Sequence, residues 1–487
     1  MSILGLWECA EEEPESGSCH SELTYNDVEA AGAPSRPLDF PAPSVYRCTR
    51  VDLRARDHLS GNVHMLRDVI IRTGVDRCGR RSDVAYLSRK KLGKTTYGGL
   101  RLCVVLRRKP RSKVDFKESR QDAFEVRDFT EWESTDEKIV MKISEWRKIH
   151  SMRGRHLEDP IKEISTLQML GDYHPHVQGA KEALQDDNNL YTIMPYLPGG
   201  DLYGRLVERD LPCPLGTILE EGNEFNGHVE NRARFWFGQL LEAVCHLQKK
   251  GVCHRDISLE NLLLDDHDNL VLIDPGLSLR VPYSDPRNYG CVSDVSCGGS
   301  RLLMKAQGQG GQLVYTPPEI INKADYVDAF ALDMWAVGVV LFIMLVGRAP
   351  FEWAHPTDQR YEKMSSGDLK SLLKLLEIRM SPEATDLLQG FFHRDPRKRL
   401  TLAEVMNHPW VQGKEFATKT TIPAPPAQKK RSFTRQDLKG LEQSPNSSPS
   451  SFLRKSKVIN MTQKRRLPPR PSCNRFKEGT RFNVASA

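Results

Sequence analysis

Residues 254–261 read His254-Arg255-Asp256-Ile257-Ser258-Leu259-Glu260-Asn261, and thirteen positions beyond Asn261 stands Asp274, within Ile273-Asp274-Pro275-Gly276. A carboxylate set five residues before an amide, just after a long helical stretch, can orient a hydroxyl while the amide oxygen holds a divalent cation. Asp274 follows the apolar run Leu270–Ile273, which reads as a strand, so a second acid is placed to bind metal beside the first group. Upstream, Val140-Met141-Lys142 puts a cation on a strand, and Glu163 stands mid-helix where it can pair with that cation. Such a pair would aim Lys142 at phosphate oxygens.

Outward from this cluster, Tyr86–Leu92, Leu100–Leu106 and Lys138–Ile143 are short, with β-branched or bulky apolar residues, and read as strands. The charged stretch 107–136 between the last two reads as an inserted loop. Beyond Lys142 the pattern turns helical. Glu158–Leu170 places Ile161, Ile164, Leu167 and Met169 near helical spacing, with Pro160 close to the start. Glu230–Lys249 is a long amphipathic helix, and Pro382–Phe392 with Leu402–Val405 suggests two more. Met334–Gly347 is apolar throughout, and its fourteen residues are too few to cross a bilayer and fit a buried core helix.

Lys142, Glu163, Asp256, Asn261 and Asp274 resemble, in order, the motif set of the eukaryotic protein kinases, which runs VAIK, αC Glu, HRD-x4-N, DFG, APE. Further matches follow downstream: Pro317-Pro318-Glu319 at the APE position, Asp333, Trp335 and Gly338 as DxWxxG, and Gly347–Phe351. Arg399 is similar to the family's late arginine that pairs with the APE glutamate, here Glu319. His408-Pro409-Trp410 resembles the domain end of the calmodulin-dependent and SNF1-like Ser/Thr type. The resemblance covers about 84–411 and implies an α+β, bilobal protein-kinase-like fold, with a small β-rich N-lobe carrying one αC helix and a larger helical C-lobe. It implies a protein serine/threonine kinase that uses ATP and Mg²⁺, acts on a protein Ser/Thr hydroxyl and works in signalling.

The glycine-rich loop is displaced from family spacing, which would put it near 120–127, where no glycine stands. Leu92–Leu100 fits GxGxxGxV instead, with Gly93 and Gly98 in the first and third places, Tyr97 at the aromatic tip and Thr95 replacing the middle glycine. A P-loop reading of Gly93-Lys94-Thr95 fails because Ser88 stands where GxxxxGK[ST] needs glycine. By resemblance Asp256 is the base, Lys142 and Glu163 the ion pair, and Asn261 and Asp274 the metal ligands. The nucleotide would be held by Leu92, Gly93, Lys94, Thr95, Thr96, Tyr97, Gly98, Leu100, Val140, Lys142, Glu260, Leu263 and Ile273. Met194 is the gatekeeper, or simply core, and Pro195, Tyr196 and Leu197 form the hinge. Asp201 is read two ways, as the cap of the next helix and as the acidic ribose contact.

Four positions depart from the family pattern. Thr95 adds a side chain where backbone must approach phosphate. Ser258 replaces the lysine usual in Ser/Thr kinases, which removes a cation from the transferring phosphate. Pro275 replaces the DFG phenylalanine, and Gln312 a threonine ahead of the APE motif. These motivate the alternative of a pseudokinase, the same fold acting as a nucleotide-binding or scaffold module. Asp274 to Glu319 spans 45 positions, a long activation segment in which Ser293, Ser296 and Ser300 could accept a phosphate for Arg255 to bind.

The ends differ from the body. Residues 1–40 carry nine acidic side chains and one basic one, whereas 412–487 carry seventeen Lys/Arg and four Asp/Glu. The formal charge of +6 therefore leaves the middle at +6 + 8 − 13 = +1. The organisation expected is a disordered acidic tail (1–44), an N-terminal extension (45–83), a kinase domain (84–411, with insertions near 107–136 and 277–311) and a disordered basic tail (412–487). Lys429-Lys430-Arg431 and Lys464-Arg465-Arg466 fit an acidic partner or a nuclear import receptor, and the lack of an aromatic-interleaved basic groove argues against nucleic-acid recognition. Eleven cysteines without a CxxC pair, and an N-terminus without a basic n-region, point to a cytoplasmic or nuclear location.

Overall fold

The computed structural model describes residues 36–57, 59–73, 83–108, 132–171, 174–207, 227–281 and 304–413. Seven strands close into a barrel: β1 (Tyr46–Arg56), β2 (Val63–Arg72), β3 (Val84–Lys94), β4 (Gly98–Arg108), β5 (Trp132–Glu145), β6 (Glu182–Gln185) and β7 (Asn189–Pro195). Their order is β1-β2-β3-β4-β5-β7-β6. Neighbours run antiparallel except where the ring closes, with Tyr46 of β1 parallel to Leu184 of β6 and Ala55 of β1 parallel to Trp132 of β5. Alternation decides which side chains meet inside. Ile139 and Met141 of β5 join Cys103, Val105, Tyr191 and Ile193 in a fully buried cluster, while the alternate residues Val140 and Lys142 face the other way.

Three sequence expectations change here. The extension 45–83, read without assigned elements, supplies β1 and β2 and closes the sheet; residues 74–82 lie outside the described residues. Residues 36–44, read as part of a disordered tail, are hydrogen-bonded to the body of the protein, for example Leu38 N to Arg280 O at 3.0 Å. The insertion 107–136 narrows, because 107–108 complete β4 and 132–136 open β5, with 109–131 outside the described residues.

After β5 come α1 (Trp146–Met152) and α2 (Pro160–Leu170), the αC helix, which begins where Asp159 accepts from Ile161 N and Pro160 takes the first turn. The C-lobe holds α3 (Leu202–Val207), α4 (Gly227–Lys249), α5 (Pro318–Ile321), α6 (Ala329–Val346), α7 (Gln359–Ser365), α8 (Leu369–Leu375), α9 (Pro382–Phe391), α10 (Leu402–Asn407) and α11 (Pro409–Gln412). Short pairs β8 (Val252–Cys253), β9 (Leu262–Leu264), β10 (Leu270–Leu272) and β11 (Leu279–Arg280) carry the motif loops between α4 and the activation segment, whose returning limb includes β12 (Met304–Lys305) before β13 (Tyr326–Val327). Helix α6 is longer than the fourteen-residue run suggested, and its eighteen residues could cross a membrane by length and composition. All eighteen are buried within the protein, so packing rather than length identifies it as the core helix.

Glu319 and Arg399 form a bidentate pair at 2.6 Å on each arm, both side chains almost wholly buried, as the motif reading expected. Arg399 also donates to Ala331 O at 3.2 Å and His393 O at 3.0 Å and lies over the Trp335 ring, so the remaining donors are used. Removing one partner strands a buried charge. Arg399→Ala is expected to cost about 3–5 kcal/mol in denaturant unfolding, and a cost below about 1 kcal/mol would show the pair to be dispensable.

Candidate active site

The strand register brings the N-lobe half of the site together. Leu100 on β4 lies opposite Lys142 on β5, which lies opposite Thr192 on β7; Val140 lies opposite Met194. The β3–β4 hairpin is thus the one that flanks the lysine strand, as required of the Leu92–Leu100 loop. Its turn is locked locally: Thr95 N donates to Gly98 O at 3.1 Å, and Gly98 N donates to Thr95 Oγ1 at 3.0 Å. The threonine hydroxyl therefore closes the turn. Lys94 is exposed, and Gly93 and Thr96 are half-buried.

Tyr97 does not stand as an open tip. It is 4% exposed, donates its hydroxyl to Glu158 O at 2.6 Å, and packs with Ile149 and with Ile164 of αC. Glu145 N donates to Tyr97 O at 3.0 Å and draws the turn against the end of β5. That approach needs glycine next to it, because a Cβ on Gly98 would lie 2.2 Å from Ile143 O.

Lys142 Nζ reaches Glu163 Oε1 at 2.7 Å, Glu163 Oε2 at 2.8 Å and Asp274 Oδ1 at 3.2 Å. Burial alone would push this ammonium down, but the Asp274 and Glu163 carboxylates outweigh it and hold it above its ordinary value. Asp274 is held below the usual carboxylate range, burial working against ionisation and Lys142 overcoming it. Burial pushes Glu163 up, against the pull of Lys142. Asp274 adopts a left-handed backbone with φ 59°, as does Arg255 with φ 66°, and both are non-glycine residues held there by their surroundings.

Asp256 and Asn261 are joined directly. Asn261 Nδ2 donates to Asp256 Oδ2 at 2.9 Å and to Asp256 O at 2.8 Å, so the amide oxygen is turned to acceptor work elsewhere. Burial, then the nearby Asp274 charge, pushes the Asp256 carboxyl up to about 7, with Asn261 opposing. The loop is hung from Asp333 of α6, which accepts from His254 N at 2.7 Å and Arg255 N at 2.8 Å. His254 accepts at Nδ1 from Asp256 N and faces Ile273 O with Nε2 at 3.1 Å, and burial drives its pKa down to about 4, so it is a neutral spacer. The sequence marks Asp333 as a motif residue without a role; its part in suspending the 254–261 loop comes from the packing of α6 beneath it.

Other expected residues fall as follows. Met194 is buried, while Leu92, Leu100, Val140, Tyr196, Leu197, Glu260, Leu263 and Ile273 are half-buried. Asp201 accepts from Gly204 N at 2.7 Å and pairs its backbone with Leu263, so the capping role is realised in the structure. Pro275 is buried at the start of a 3₁₀ turn packed on αC. Ser258 is 1% exposed and its Oγ has no hydrogen-bond partner among the described residues. Arg255 Nη2 donates to Gly308 O at 2.6 Å, and Ser293, Ser296 and Ser300 lie outside the described residues. Gly311, at φ 72°, comes so close to the loop that a Cβ would lie 2.6 Å from Asp256 Oδ1. Glu158, read only as an acidic helix start, lies beside Gly276, and its charge reaches Lys142, Glu163 and Asp256.

Because the obstacle at Gly98 is backbone, Gly98→Ala is expected to cost about 1–3 kcal/mol in unfolding experiments; an unchanged midpoint would contradict the close approach.

The geometry agrees with what the chain is similar to. The family described as "Protein kinase domain" matches residues 126–411, more than half of the chain, beginning after the β3–β4 hairpin. The SNF-related serine/threonine-protein kinase of Homo sapiens is 28% identical over 298 residues, covering 59% of this chain and 32% of that protein. Serine/threonine-protein kinase SRK2C of Arabidopsis thaliana is 31% identical over 261 residues, covering 53% of this chain and 65% of that protein. CBL-interacting serine/threonine-protein kinase 15 of Arabidopsis thaliana is 28% identical over 278 residues, covering 57% and 56%. The match thus spans less than two thirds of the length of each of these relatives. With the Lys142–Glu163 pair, the Asp256–Asn261 loop and Asp274 arranged in the family's order, and the family match running from ahead of β5 to the end of the C-lobe, the chain belongs to the protein kinase family.

Proposed function

We propose that the chain is an active protein serine/threonine kinase that moves the γ-phosphoryl group of ATP to a protein hydroxyl. The observation that carries this reading is the assembled charge pattern: Lys142 between Glu163 and Asp274, with Asp256 bonded to Asn261 across the same cleft. Names of the relatives as Ser/Thr kinases support the class of acceptor.

The donor set suits Mg²⁺, because a carboxylate held ionised and an amide oxygen are hard ligands, and this ion takes its remaining ligands from phosphates and water. Asp274 and Asn261 would hold it, and when bound it supplies positive charge to the phosphate oxygens. Lys142, fixed by Glu163, orients phosphate oxygens of the nucleotide. Asp256 accepts a hydrogen bond from the substrate hydroxyl and aligns its oxygen with the γ-phosphorus. As the new O–P bond forms, the bond to the ADP oxygen breaks, and the hydroxyl proton passes to an Asp256 carboxylate oxygen. Burial raises the basicity of Asp256 for this step.

One observation favours a second reading, a pseudokinase. Ser258 replaces a cation with a buried hydroxyl that has no hydrogen-bond partner among the described residues, so no positive charge from this position meets the transferring phosphate. Transfer of radiolabelled phosphate to a basic protein separates the two. Asp256→Asn and Lys142→Met are each expected to lower transfer by about 10²–10⁴-fold; equal signal from the parent and both variants would sink the enzyme reading. Gly311→Ala, which crowds Asp256 Oδ1 at a left-handed position, is expected to lower kcat by about tenfold or more. An unaltered kcat there would show that Asp256 is not held by the returning activation segment.

A further inference from the structure

Residues 36–45 run from one lobe to the other. Leu38 pairs antiparallel with Arg280, its N–H donating to Arg280 O at 3.0 Å, and Arg280 Nη1 donates to Asp39 O at 2.5 Å. Phe40 packs, partly buried, on the C-lobe core. Ser44 and Gln168 then bond twice: Ser44 N donates to Gln168 Oε1 at 2.8 Å, and Gln168 Nε2 donates to Ser44 O at 2.8 Å. Val45 packs on the cluster that holds Tyr97 and Ile164 before the chain enters β1.

The two anchors are placed in a telling way. Arg280 lies six residues beyond Asp274, on β11, and Gln168 lies five residues beyond Glu163, on αC. The segment therefore joins αC, which supplies Glu163, to the strand that follows Asp274 after one 3₁₀ turn, so its two ends flank the carboxylates around Lys142. Six residues can span at most about 21 Å, so αC cannot swing away from β11 beyond that leash without breaking one anchor. Gln168 itself is exposed, and its paired bonds to Ser44 main chain have no counterpart role in the αC core.

We infer that residues 36–45 form an interlobe strap that keeps Glu163 and Asp274 in register around Lys142, with Gln168 and Phe40 as positioning residues. The inference rests on the proposed function only for its kinetic consequence. When the strap is released, αC gains freedom, the Lys142–Glu163 pair opens more often, and the phosphates are oriented less of the time.

Hydrogen exchange on the full chain tests this directly, with Gln168→Ala as a surface change that suits a helix and Phe40→Ala as an independent release at the other anchor. Exchange of the αC amides 161–170 is expected to speed up about tenfold or more in both variants, while the α6 core keeps the parent rate. Turnover should fall by about three- to tenfold, with KM for the protein substrate unchanged, the split expected when orientation of the phosphates is lost. Parent-like exchange across 161–170 in both variants overturns the inference, whatever the transfer activity. A parent chain without transfer activity would remove the proposed function and leave the exchange result to decide the strap.

Discussion

A single ammonium organises the cleft. Lys142 touches carboxylates from two elements that are far apart in sequence, Glu163 on αC and Asp274 after β10. Lys142 and Glu163 are each costly to bury alone and become tolerable as a pair, while the half-exposed Asp274 adds a second carboxylate at the open side of the ammonium. The arrangement needs β5 to present Lys142 outward, αC to lie against the barrel, and the turn after β10 to hold a left-handed aspartate.

The second half of the site is built on different physics. Asp256 sits on a loop with little regular structure, and loops of this kind are placed by side-chain bonds to rigid elements. Asp333 supplies these from the wholly buried α6, taking two backbone N–H groups of the loop at once. The neutral His254 fills the space between Asp256 and Ile273, and Tyr315 Oη accepts from Leu259 N at 3.3 Å. Phosphoryl transfer asks mainly for positioning and charge placement, so a rigid helix beneath the loop matters as much as the carboxylate above it.

Much of this was legible because the residues that carry chemistry stand close together in sequence. Asp256, Asn261 and Asp274 fall within one stretch, and the apolar alternation of β4 and β5 marks the strands on either side. What the sequence concealed depends on distant partners. Strand β1 hides its inward face in Cys48 and Ala55, intersperses it with arginines, and breaks alternation at an irregularity between Val51 and Leu53. Residues 36–44 carry no periodic signal because most of their anchoring is through main chain, and acidic composition around them suggested a free tail. Tyr97 matched the family's aromatic position in a linear pattern, but its three-residue turn and the Glu145 bond fold it onto αC. The apolar run marks helix α6 as buried, but the helix starts ahead of that run, at the Asp328 cap.

In the proposed kinase, Lys142, Asn261 and Asp274 form one site for a metal-bound nucleotide. Titration calorimetry with a non-hydrolysable ATP analogue, in Mg²⁺ and in chelator, addresses it without requiring turnover. The parent chain should bind more tightly with Mg²⁺, and Asp274→Asn should lose most of that metal-dependent gain by removing the charged ligand. Binding that is the same with and without Mg²⁺, and the same in Asp274→Asn, would contradict the account.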